Sequence, residues 1–136
     1  MTFDTMETTL PRLIITLAAL TAWSLPALAA EHIVDIAWDA KGQFHHEARV
    51  APKKFVEVCG KLSKGTKVKW HFEGGGPTDF NVHYHEGKDV RFPAKQAQVS
   101  KADGTVDVSV DQDYCWMWSN KSETPVSLMV HLDKGG

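Results

Sequence analysis

Most signals that mark a function class are missing from this sequence. Two cysteines, Cys59 and Cys115, are all it holds in 136 residues. No basic block points to nucleic acid, and no acidic tail is present. No G-x-S-x-G elbow, H-E-x-x-H, P-loop or Rossmann glycine pattern occurs, and the acids are scattered. Nothing local therefore points to catalysis, and the protein is expected not to be an enzyme. Repeats and low-complexity tracts are absent. No second hydrophobic span follows the one at the N-terminus, so membrane insertion of the mature chain is not expected.

That first span is a leader. Residues 13–25 form an apolar run, followed by Pro26 and then Ala27-Leu28-Ala29, an A-x-A cleavage site. Residues 1–29 are read as a signal peptide, with Met6 as an alternative start, and residues 30–136 as one domain. Export to the periplasm or the outside is the expectation. Of 15 basic and 17 acidic residues, Arg12, Asp4 and Glu7 lie in the leader, so the mature chain is near neutral. An even cysteine count in an exported chain favours a Cys59–Cys115 disulfide.

What is present is alternation with period two. Val68, Trp70 and Phe72 share one face of a run ended by Gly74-Gly75-Gly76-Pro77. Val126, Leu128, Val130 and Leu132 do the same in the last strand. Further runs lie at 33–38, 54–59, 79–85, 105–110 and 114–119. Residues 100–103 read as a polar turn, and 94–98 could form one helical turn. Seven to eight short strands with turn signals between them predict an antiparallel β-sandwich.

The most informative stretch is Tyr114-Cys115-Trp116-Met117-Trp118. On a strand, Cys115 and Met117 point one way and the three aromatics the other. The aromatics read as sandwich core, or else as an exposed ligand platform. In Asn81-Val82-His83-Tyr84-His85, the two histidines likewise share a face. Imidazole and thioether suit copper. His83, His85 and Met117 are therefore the candidate ligands, if the two strands are neighbours. Cys115 is either a thiolate ligand or half of the disulfide, which would remove it from the metal. Met129 and His131 form another same-face pair, and His71 lies opposite its strand's apolar face. Cleavage after Ala29 would make His32 third in the mature chain. A free amine, two backbone nitrogens and that imidazole would then suit Cu(II) or Ni(II). His45-His46-Glu47 is a polar cluster whose adjacent histidines point opposite ways. Asn120-Lys121-Ser122 matches a glycosylation sequon.

Two resemblances arise at these residues. Val58-Cys59, Asp79-Phe80-Asn81-Val82, Tyr114-Cys115 and Asn120 resemble the GOLD domain of the emp24 family. This implies a disulfide-stapled β-sandwich that docks an envelope protein. His83 or His85 with Cys115 and Met117 is similar to part of the ligand set of cupredoxins, exported copper-binding β-sandwiches. No histidine follows Cys115 in the last loop, so a blue-copper carrier is not implied. The expected protein is an exported, non-catalytic binding module, with copper as ligand or, in the alternative, a protein partner and no metal.

Overall fold

The computed structural model describes residues 32–135. The leader, its cleavage site and residues 30–31 of the mature N-terminus lie outside them. The described residues form seven strands: β1 (Ile33–Asp35), β2 (Gln43–Val50), β3 (Phe55–Leu62), β4 (Lys67–Glu86), β5 (Asp89–Asp107), β6 (Gln112–Ser119) and β7 (Val126–Asp133). The all-β expectation holds.

Hydrogen bonds link the seven strands into one sheet, in the order β1-β3-β6-β4-β7-β2, with β5 paired to β4. All pairs are antiparallel except β1 with β3. The sheet folds over on itself because β4 changes partner along its length. Lys69 to Gly74 pair with β7, and Asp79 to His83 pair with β6. Between them, Gly74-Gly75-Gly76-Pro77 does not break the strand, as the sequence implied. It bends it, with register shifts between Glu73 and Phe80. Eight residues of straight strand would separate Phe72 from Phe80 by about 26 Å. Their ring centroids are 4.7 Å apart. The two arms of β4 therefore face each other. One carries the leaf β2-β7, the other the leaf β6-β3-β1.

Between the leaves lies the core. Trp70, Phe72, Phe80 and Trp118 pack with neighbouring ring centroids 4.7 to 6.2 Å apart at the bend. Tyr114, Trp116 and Trp118 are fully buried, which settles the aromatics as core and not as a ligand platform. Among the described residues, the indole N–H groups of Trp70, Trp116 and Trp118 have no acceptor. Such desolvation costs about 1–3 kcal/mol each, offset by the large area that each ring buries.

Two segments differ from the sequence expectation. Residues 94–103 are neither helical turn nor loop; they belong to β5, an edge strand that follows the bend of β4. Its side chains are mostly exposed and polar, so no alternation marks it. Strand β2 carried no sequence signal either, because its inward positions include His46 beside Phe44, Ala48 and Val50.

Candidate functional site

Cys59 and Cys115 face each other across β3 and β6, and are disulfide-bonded. They lie on the outer face of their leaf, opposite the aromatic core. No thiolate is left to ligate a metal, so the cysteine part of the cupredoxin-like set falls away.

The disulfide sets the register of everything around it. In one side-chain row Cys59, Cys115 and His83 are neighbours on β3, β6 and β4. In the next row Glu57, Met117 and Asn81 are neighbours. His83, Met117 and a carboxylate thus meet on one face, as the strands had to be adjacent for a site to exist. His85 lies two residues beyond His83, its ring centroid 5.6 Å away and roughly perpendicular.

His83 is held in place. Its Nδ1 lies 2.8 Å from Asn81 Oδ1. With that oxygen as acceptor, Nδ1 carries the proton and Nε2 keeps its lone pair. Nε2 points toward Glu57 Oε2, 3.7 Å away. The two side chains are only 11% and 14% exposed, so water does little to screen them. Burial, with His85 nearby, lowers the His83 pKa and favours the neutral ring. Burial raises the pKa of Glu57, while His85 opposes that rise. This is a neutral imidazole beside a carboxylate short of solvation, and a cation between them would relieve the carboxylate. Phe92, 48% exposed, lies against the His83 ring with centroids 6.2 Å apart.

Glu57 was not singled out from the sequence. Its signal was available: if Cys59 opposes Cys115 in an antiparallel pair, Glu57 must oppose Met117. His32, by contrast, is not brought to this cluster. Its Nδ1 donates to the Phe55 carbonyl at 3.0 Å, and its ring leans on Phe55. Phe55 lies two side-chain rows from His83 on this face. The amine of Ala30 and the amide of Glu31, which an N-terminal site at His32 would need, fall outside the described residues.

On the other leaf, His45, His131 and His71 lie side by side on the outer face of β2, β7 and β4. His46 points the other way, toward Phe44. Asn120 is 1% exposed and bonded to three backbone carbonyls, so the sequon is not an open acceptor.

No protein-family model matches this sequence, and no curated protein matches it. Among solved structures, it is similar to PliG of Salmonella Typhimurium, a periplasmic inhibitor of g-type lysozyme. Identity is 14%, with 74% of this chain and 96% of that one covered and a TM-score of 0.53. A de novo designed double-stranded β-helix (17% identity; 65% and 97% covered) and Aeromonas hydrophila PliG (14%; 74% and 97%) reach TM-scores of 0.41 and 0.40. The Salmonella likeness shows a shared β fold. Neither the GOLD nor the cupredoxin resemblance is confirmed by these likenesses.

Proposed function

We propose that this is an exported, non-catalytic binding protein that holds copper on the outer face of the β3–β6–β4 leaf. His83 Nε2, His85 and Met117 are the ligands, with Glu57 as a carboxylate donor for the divalent ion. The observation that supports this most is the His83 geometry: one nitrogen tied to Asn81, the other turned with its lone pair toward Glu57. A hydrogen bond of that kind to the non-ligating nitrogen fixes the tautomer of ligating histidines. Two imidazoles and a thioether suit copper(I), and the imidazoles with Glu57 suit copper(II). The fold shared with a periplasmic protein agrees with the leader in favouring export.

Titration of the purified exported protein with Cu(I) and Cu(II) tests this. One equivalent of Cu(I) should bind at micromolar concentration or tighter, and the double variant H83A/H85A should lose it. No binding of either ion, or Cu(I) binding that survives the double variant, overturns the site.

A second reading is favoured by the same likeness: an envelope module that docks a protein and needs no metal. Exposed Phe92 and Ile33 on this leaf would contact the partner. Since the similar Salmonella PliG is an inhibitor of g-type lysozyme, an inhibition assay with that enzyme is its direct test. Inhibition at stoichiometric concentration would favour it over copper.

A further inference from the structure

The opposite leaf carries a feature that the copper reading does not use. His45 pairs with His131, and His131 pairs with His71, so three imidazoles occupy one side-chain row across three adjacent strands. Asp103 on β5 extends the row, directly opposite His71. All four side chains stand on the outer face, since the flanking residues Phe44, Trp70, Phe72, Val130 and Leu132 are core.

We propose that this row is a second metal site, for a borderline divalent cation of the zinc class, centred on His131. Neighbouring strands lie about 4.8 Å apart. The outer imidazoles therefore flank His131 within reach of a single ion above it, at metal–nitrogen distances of about 2.0–2.1 Å. The rings of His45 and His131 already lie 6.3 Å apart, centroid to centroid. His45 and His71 now lean along their strands toward Glu47 (3.8 Å) and Glu73 (3.3 Å). All four of those side chains are at least half exposed, and ion pairs so exposed hold little free energy. Turning the rings over His131 costs little, and leaves each carboxylate able to accept the other ring N–H, as around zinc-bound histidines.

The surroundings favour a cation. Glu47 and Glu73 lie in the next row on one side, and Asp133 in the next row on the other, with Asp103 at the end. Against these four carboxylates stand Lys69, opposite Asp133, and Lys101, opposite Glu73. Nitrogen and oxygen donors without a thiolate select zinc, copper(II) or nickel and not copper(I). Copper(I), which the thioether of Met117 favours, is the ion that separates the two sites.

Zinc is the better probe, because an amine-and-amide site at a free N-terminus suits copper(II) and nickel. Zinc chloride is titrated into the purified exported protein by calorimetry, with Trp fluorescence checking the fold of each variant. About one equivalent should bind. H131A should weaken it at least about tenfold, the loss typical of a disrupted ligand set. The double variant H45A/H71A, changed only at exposed positions, should weaken it similarly if H131A proves unstable. H83A/H85A should leave it unchanged. The proposal is overturned if zinc fails to bind at about 100 μM, or if both H131A and H45A/H71A bind it as the parent does. It is also overturned if H83A/H85A abolishes zinc binding, which would return the ion to the other leaf. Loss of copper(I) binding alone in H83A/H85A bears on the first site and leaves this one standing.

Discussion

Asn120 shows how much one side chain can join. Its amide nitrogen donates to the carbonyls of Val50, Ala51 and Thr124, and its oxygen accepts from the Ser122 amide and hydroxyl. The end of β2 and the β6–β7 turn are thereby tied together. Replacing it with alanine orphans several buried groups, so N120A should cost about 2–4 kcal/mol, read as a lower urea midpoint. Gly104 is constrained differently: a Cβ there would lie 2.5 Å from Trp70 Cζ2. G104A must push the indole aside and should cost about 1–3 kcal/mol, with a changed Trp fluorescence spectrum. Neither role was legible in the sequence. Asn120 reads as a glycosylation sequon because its carbonyl partners at Val50 and Ala51 are some seventy positions away. Gly104 carries no signal of its own, because nothing local announces the ring beneath it. Where the face of a residue followed from alternation alone, as for Cys115, Met117, His83 and His85, the reading survived.

Strands with one apolar face were readable and strands without one were not. Strand β7 alternates without exception and was found to within a residue. Most of β5 was missed, because an exposed edge strand has no core face to betray it. Its Arg91, Pro93, Lys95 and Lys101 are what an edge needs to discourage pairing with another chain. The glycine-rich stretch was read as a break, since flexibility in the sequence does not say whether a strand stops or turns a corner. The Cys59–Cys115 bond joins β3 and β6 across 56 positions. By chain entropy it contributes about 4 kcal/mol. C59S/C115S should lower the unfolding free energy by about that much, measured against the parent in urea without reductant. The same variant should loosen the registration of Glu57 and Met117 against His83, and so weaken copper as well.

Over the whole molecule, acid works against the fold through four groups with lowered pKa: Asp39, His46, Asp79 and His83. Asp79 bonds Lys121 and Gln98, and these partners hold its pKa down to about 2. A depressed carboxylate adds stability that is full above its ordinary value of 3.8 and is lost as pH falls toward 2. His83 has a lowered pKa because burial disfavours the charged ring. Its contribution is full above 6.5 and fades as pH drops through the lowered value. Glu57, whose pKa is raised, opposes this in part: its contribution is full when protonated and is lost as pH rises. Metal-free protein should therefore lose stability in two stages on acidification. D79N should reduce the stage below about pH 4, which Asp39 shares, and H83Q the earlier one, which His46 shares, in urea midpoints measured from pH 7 to pH 3. The order of the strands bears on time as well as on free energy. Only β4 and β5 are both adjacent in the chain and paired; every other pairing joins segments far apart, up to Gln43 with Asp133. Chains dominated by such distant pairings fold slowly, in milliseconds to seconds. The bent hairpin is the one piece that can form early, as a template on which both leaves assemble. With β3 and β6 already linked, one of those searches is over before it starts. Oxidised chains should therefore regain native Trp fluorescence faster than C59S/C115S chains in stopped-flow refolding.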